Sequence, residues 1–236
     1  MSRLDNFLLN NQLAQSRNKA QELIKDGLVF VDDKCIKKSS FKVADTDNVE
    51  VKEHKSYVSR SAHKLDEFLN ELDLDISSRL ALDIGSSTGG FTQVLLERGV
   101  KEVYCVDVGS NQLHSSLRDD NRVNIFESCD IREFYPDIKF ELIVSDVAFI
   151  SLHYILDDVE RLALGDIILL FKPQFEVGRE VKRDKNGVVL DKKAISKAIL
   201  KFEDACRLRN WNIVRKSESK LAGKSGNLEY CYYIKK

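Results

Sequence analysis

Residues 80–109 read LALDIGSSTGGFTQVLLERGVKEVYCVDVG, and the fold is decided there. Ala81, Leu82 and Ile84 form a short apolar run, which Gly85-Ser86-Ser87-Thr88-Gly89-Gly90 breaks. Phe91, Val94, Leu95 and Leu96 follow at helical spacing, and Gly99 closes that helix. Val103, Tyr104, Cys105 and Val106 make a second run that ends in Asp107. Strand, glycine turn, helix and strand in this length make a βαβ unit. Its chemistry belongs at the carboxyl ends of the strands. There glycine lets the backbone approach a ligand, and the helix start offers unpaired N–H groups.

An acid closing the second strand can accept hydrogen bonds from ribose hydroxyls. Asp107 stands 22 residues after Gly85, near the spacing expected for that role. An adenosine-type cofactor follows. A dinucleotide turn needs G-x-G-x-x-G, and Ser87 takes the place of its second glycine; no G-K-[ST] follows the turn, which disfavours a phosphate-binding P-loop. Asp83 before Gly85 resembles instead the D-x-G of S-adenosylmethionine-dependent methyltransferases.

The rest of the chain supplies partners for this unit. Val123, Ile125 and Phe126 suggest a third strand followed by Asp130, which could accept from an adenine amino group. Residues 141–146 and 166–172 are two more strands, apolar and then abruptly ionic, ending in Asp146 and Lys172. In a doubly wound sheet both would reach the edge that carries the cofactor turn. A helix from about Ser61 to Leu74 has Ala62, Leu65, Phe68, Leu69 and Leu72 on one face, with Lys64 at its margin. Such a lysine is ordinarily solvated. Residues 174–193 read as a charged loop, either a flap over the crevice or a solvated insertion; a helix (Ala194 to Ala205), a strand (Trp211–Arg215) and a last strand (Leu228–Ile234, with Glu229 near its start) complete the chain.

Bulk properties set limits. With 236 residues, 43% hydrophobic and 32% charged, the chain can bury a core in one large or two small domains, and its net charge of −1 gives no global pull toward nucleic acid. No apolar run reaches membrane-spanning length, and the start lacks a basic segment followed by a signal-peptide core, so a cytoplasmic protein is expected. Five scattered cysteines without a C-x-x-C pair fit reduced thiols, and neither they nor the four histidines have zinc spacing.

The first 56 residues read as a separate small unit. Leu4, Phe7 and Leu8 mark one helix; Ser16 caps a second with Ala20, Leu23 and Ile24 inward and Gly27 as its stop; short valine-rich strands follow. Arg3-Leu4-Asp5, Ser16-Arg17, Ala20 and Leu23-Ile24-Lys25-Asp26-Gly27 resemble the S4 RNA-binding domain. That resemblance makes Arg3, Arg17, Lys19 and Lys25 the candidate RNA contacts, with Lys34, Lys37 and Lys38 beyond. Residues 1–60 carry 11 basic against 9 acidic side chains, so composition alone would leave these as solvated charges. Residues 52–60 form a polar connector.

Taken whole, the chain resembles the TlyA family, historically labelled hemolysins, in which an S4 domain precedes an FtsJ-like methyltransferase domain. The resemblance rests on YVSRSAHKL (57–65), LDIGSSTGGFT (82–92), SDVAFISL (145–152), FKPQFEVGRE (171–180) and GNLEY (226–230). Ser219-Lys220-Leu221 departs from the Ser-Pro-Ile often found before the last motif. The resemblance implies a Rossmann-like α/β methyltransferase, residues 57–236, with a mainly parallel seven-stranded sheet and an antiparallel final strand, behind an α+β S4-type domain, residues 1–56. It implies S-adenosylmethionine held by Asp83, Gly85 to Phe91 (including Ser86, Ser87, Thr88, Gly89 and Gly90), Asp107 and Asp130, no metal, and a catalytic tetrad of Lys64, Asp146, Lys172 and Glu229. The implied reaction is 2′-O-methylation of ribosomal RNA, at a cytidine of the large subunit, with Lys172 as general base. Rival readings are an RNA-binding protein without catalysis, a membrane-acting hemolysin and a nucleotide-dependent dehydrogenase.

Overall fold

The computed structural model describes residues 1–25, 27–52, 57–223 and 225–236, so Asp26 of the S4 match and residues 53–56 of the connector lie outside the described residues. The chain divides into two units, Met1–Ser56 and Tyr57–Lys236.

In the first unit, helices α1 (Leu4–Asn10) and α2 (Arg17–Lys25) pack beside five short strands: β1 (Ser2–Arg3), β2 (Val29–Val31), β3 (Lys34–Cys35), β4 (Lys42–Val43) and β5 (Val49–Val51). β2 pairs antiparallel with both β3 and β5, and β1 with β4. Ser16 Oγ accepts from the Lys19 N–H at 3.2 Å, as a helix N-cap does. Leu4, Leu8, Ala20, Ile24, Val29 and Val43 are the core. Asp5 is also fully buried. Arg3, Arg17 and Gln21 all donate to its carboxylate, at 2.9–3.1 Å. The Arg3 contact, before the others, holds that carboxyl well below the ordinary carboxylate range. An ionic knot thus joins the first residues of the chain to α2.

The second unit is built on a seven-stranded sheet. Its strands are β6 (Leu80–Ile84), β7 (Glu102–Asp107), β8 (Val123–Glu127), β9 (Phe140–Ser145), β10 (Ala163–Phe171), β11 (Asn212–Glu218) and β12 (Tyr230–Lys235), in the spatial order β11-β12-β10-β9-β6-β7-β8. β12 runs antiparallel to both neighbours; the pairs from β10 to β8 are parallel. Alternation along the strands sends side chains to two separate cores, as the pleat requires. Leu82, Ile143, Ile167, Leu169 and Tyr232 lie on the face covered by α6 (Leu156–Leu162) and α8 (Lys192–Leu208). Ala81, Leu142, Val144, Ile168 and Tyr233 lie on the face covered by α3 (Ser61–Asn70) and α4 (Gly90–Glu97). The chain passes from β6 outward through β7 and β8, then returns to β9 on the other side of β6. The crevice between β6 and β9 is therefore the switch point where ligands bind in such sheets.

Several boundaries differ from the sequence expectation. α3 stops at Asn70, and Leu72 and Leu74 pack on the core from the loop beyond it. Pro173 ends β10 and also opens α7 (Pro173–Glu176), since at the first helical position its missing N–H costs nothing. β12 starts at Tyr230 rather than Leu228. Just before it, Asn227 turns inward, taking the Val189 N–H on Oδ1 and donating from Nδ2 to the Gly187 carbonyl. β11 extends to Glu218, paired along its length with β12.

Candidate active site

Two cavities open at the carboxyl ends of the central strands. The smaller, about 360 Å³, is lined by Gly85, Ser87, Asp107, Gly109, Cys129 and Asp130 among others. The backbone at Gly85 has φ +80°, and a Cβ there would press on Val147 at 3.1–3.3 Å, so the turn admits only glycine without strain. Asp107 accepts from the Ser87 N–H at 2.8 Å and the Gly109 N–H at 2.7 Å. These fix the carboxylate across the cavity and leave it lone pairs for hydroxyl donors. Asp130 caps the short turn 131–133 and pairs with Arg132. Glu127 takes three backbone N–H groups of 111–113 together with Arg118 of α5 (Ser115–Arg118), the largest influence, which brings its carboxyl down to about 2. It shapes the loop after β7, and the sequence reading did not single it out. A glycine cradle, a fixed acid and an acid at the next strand end fit an adenosine-bearing methyl donor.

Not every residue expected at the donor lines a cavity. Asp83 is fully buried on the α4 side of the sheet, where Thr92 Oγ1 donates to its Oδ2 at 2.7 Å. Burial pushes its carboxyl up to about 7. Through Thr92 its carboxylate ties β6 to α4. Gly89, at φ +91°, is the N-cap of α4, and a Cβ on it would strike Leu113 and Leu117; one on Gly90 would strike Ser59 and Ser61. Both glycines serve close packing. Ser86, Thr88 and Phe91 face the second cavity, as Gly85 and Ser87 do.

That second cavity, about 830 Å³, meets the first along Gly85, Ser87, Asp146, Ala148 and Phe149. Lys64, Asp146, Lys172 and Glu229 all line it. They come from α3, the end of β9, the end of β10 and the start of β12. Lys64 is buried, not solvated: its Nζ donates to Glu229 Oε2 at 2.5 Å, and Glu229 is 2% exposed. Gln174 Nε2 holds the other carboxylate oxygen at 3.0 Å. Lys172 Nζ lies 2.6 Å from Asp146 Oδ1, an ion pair not directed as a hydrogen bond, and donates to the Asp146 carbonyl at 3.3 Å. Burial raises the Asp146 carboxyl although Lys172 and Lys64 pull it down.

The cavity is closed by segments whose role the sequence left open. Residues 174–193 are not loose. Arg183 donates to the carbonyls of Gln174, Gly178, Arg179 and Val181, and Arg183 bridges to Val189 across a turn built on Asp184. Glu176 accepts from Ser151 Oγ and the Leu152 N–H, tying α7 to the loop after Asp146. On that loop Phe149 stands 92% exposed in the left-handed region, φ +65°, with its ring 5.4 Å from Phe175. A bulky residue held in that conformation carries strain of about 1–3 kcal/mol, a mark of a functional position. Gly223 lies against Glu229, and a Cβ there would fall 2.5 Å from Oε1. Gly223→Ala should therefore displace the carboxylate and lower methyl transfer by about 10²-fold, a displacement of ~1 Å being enough, with little change in melting temperature. Wild-type turnover would show that Glu229 has room to move.

The candidate RNA contacts of the first unit are mostly engaged. Arg3 and Arg17 hold Asp5, and Lys19 pairs with Glu22 at 3.0 Å. Each guanidinium has five N–H donors, so Asp5 does not exhaust them.

Among the described residues no group of three or more His, Cys, Asp and Glu side chains gathers as metal ligands would, and no helix is long and apolar enough to cross a membrane. Fold and site together define an S-adenosylmethionine-dependent methyltransferase. The family model for FtsJ-like methyltransferases matches residues 57–236, and that for S4 domains matches residues 2–49. The chain is 45% identical to the 23S rRNA (cytidine-2′-O)-methyltransferase TlyA of Campylobacter jejuni, over 96% of this chain and 97% of that protein. It is 38% identical to the 16S/23S rRNA (cytidine-2′-O)-methyltransferase TlyA of Mycobacterium tuberculosis, over 99% and 90%. The solved structure of a candidate hemolysin of Streptococcus thermophilus, 32% identical, superposes with a TM-score of 0.74 over 100% of this chain and 88% of that one. The chain belongs to the TlyA family of FtsJ-like methyltransferases.

Proposed function

We propose that the protein methylates the ribose 2′-hydroxyl of a cytidine in large-subunit ribosomal RNA. One observation carries this reading: four ionic side chains from four separate elements line one cavity, which adjoins the donor cavity at Gly85 and Asp146. The names of the relatives supply the substrate, and the match of this chain to 97% of a relative named for 23S rRNA supports the large subunit.

When bound, S-adenosylmethionine supplies an electrophilic methyl group on a sulfonium. Gly85, Ser87, Asp107 and Asp130, which line the smaller cavity, would hold it, with Ser86, Thr88 and Phe91 beside them at the second cavity. A ribose hydroxyl is a poor nucleophile at neutral pH and must give up its proton as it attacks. Lys172 Nζ, at the end of β10, takes that proton as the general base. Asp146 orients Lys172 through the contacts to its carboxylate and carbonyl. Lys64, locked to Glu229, places a fixed positive charge where the acceptor oxygen gains negative charge. Beyond these, the protein contributes orientation. Arg3, Arg17, Lys19 and Lys25 of residues 1–56 contact phosphates, which position RNA without reading sequence. The reaction takes place in the cytoplasm, where ribosomes are made.

The test is transfer of labelled methyl from S-adenosylmethionine to purified large subunits, followed by mapping of 2′-O-methyls. A single labelled ribose on a cytidine is expected. Label on a base, or none on ribosomal RNA, would overturn the reading.

A further inference from the structure

Among the described residues lining the acceptor cavity, Gln174 Oε1 and Asp146 Oδ1 are buried without a hydrogen-bond partner, and of the two only Asp146 Oδ1 has an ion-pair partner, Lys172. Gln174 Nε2 donates to Glu229 Oε1 at 3.0 Å. A carboxylate only accepts, so the amide nitrogen must face Glu229, and this fixes which way the amide points. The carbonyl Oε1 is turned away from the Lys64–Glu229 pair. It is buried and has no partner among the described residues. The neighbouring polar side chains of the cavity are committed: Asn227 to Val189 and Gly187, Arg183 to four carbonyls, Glu229 to Lys64 and Gln174. A buried amide carbonyl without a donor is costly, so a donor is expected to meet it when the cavity fills.

An internal RNA nucleotide offers few donors. Its 3′ oxygen is esterified, and its 2′-hydroxyl proton goes to the base of the reaction. What remains is the edge of the nucleobase. Phe175, the next residue, also lines the cavity, with Phe149 5.4 Å away. Aromatic rings suit the face of an unstacked base, and a side-chain acceptor beside them suits its edge. We propose that Gln174 is the specificity-determining residue for the acceptor base: Oε1 accepts a hydrogen bond from an exocyclic amino group. This prefers an amino-bearing pyrimidine over one with a carbonyl at that position, where two acceptors would face each other. The inference rests on the function proposed above and adds the atom that reads the base.

The experiment compares Gln174→Met, similar in length and without polar atoms, with the wild-type chain. Substrates are reconstituted large subunits carrying cytidine or uridine at the methylated position, and kcat/KM is measured on both. The wild-type chain should prefer cytidine by roughly 10- to 100-fold. Gln174→Met should lose most of that preference, its rate on cytidine falling toward that on uridine. Parallel losses on both substrates would mean that Gln174 only supports Glu229 and would overturn the proposal; so would wild-type rates that do not differ. No wild-type methylation of either subunit would instead count against the proposed reaction, which separates the two failures. A melting curve of the variant confirms that it is folded.

Discussion

Replacing Lys172 with Ala should lower single-turnover methyl transfer by about 10²–10⁴-fold, the range for loss of a general base. Affinity for S-adenosylmethionine, measured calorimetrically, should stay within a few-fold, because Lys172 lines the acceptor cavity and not the donor cavity. A second readout is independent of activity. Burial already raises the Asp146 carboxyl, and Lys172 is the largest influence pulling it down. Without Lys172 the carboxyl rises further. A carboxyl raised in the folded state contributes stability that is full below its unfolded value and is lost as pH rises through the folded value. Lys172→Ala should therefore melt progressively further below the wild-type chain as pH increases above the ordinary carboxylate range. Turnover close to wild type would remove Lys172 as the base. A pH-independent difference in melting would mean that the two side chains do not interact as an ion pair.

Lys64→Met should act chiefly on stability as well as rate. It leaves the Glu229 carboxylate, 2% exposed, without its countercharge. Removing one partner of a buried pair costs about 3–5 kcal/mol, toward the lower end here because Gln174 still donates to Glu229. For a unit of this size the melting temperature should fall by roughly 6–20 °C. Adding Glu229→Gln removes the stranded charge and should recover most of that loss, since a neutral amide is cheaper to bury than an unpaired carboxylate. Methyl transfer should stay lost in the double variant. Stability recovered without activity would separate the structural from the chemical contribution of the pair. A single variant as stable as wild type would mean that Glu229 is not a buried charge.

Residues 80–109 carried the fold because their information is local. A short apolar run, a glycine break and a helical stripe each follow from the conformations of neighbouring residues, and β6, α4 and β7 appear where those patterns fall. Asp146 and Lys172 were legible for a related reason: an ionic residue at the end of an apolar strand must emerge at an edge of the sheet, and both parallel strands end at the same one. Lys64 and Glu229 were not legible in this way. Beside its helix stripe Lys64 reads as a solvated side chain, and Glu229 lies 165 residues away. Only the resemblance to a family placed them together.

Other features were beyond any local pattern. Arg3 and Arg17 read as charges for RNA, and only the fold shows that both also hold buried Asp5. Residues 174–193 read equally as flap or insertion, because Arg183 finds its carbonyl partners only once the chain doubles back. Phe149 stood within a recognisable motif, yet its exposure and its φ of +65° depend on a loop held by Glu176 from another element.

By itself, then, the sequence determined the βαβ cradle, the parallel sheet around it and the ionic strand ends, all products of short-range periodicity and steric preference. The tertiary structure alone decided that Lys64 is buried against Glu229, that Gln174 bridges to the same carboxylate, and that donor and acceptor cavities meet at Gly85 and Asp146. Those facts are pairings between groups far apart in the chain. They are set by which surfaces pack and which charges must be neutralised once water is excluded.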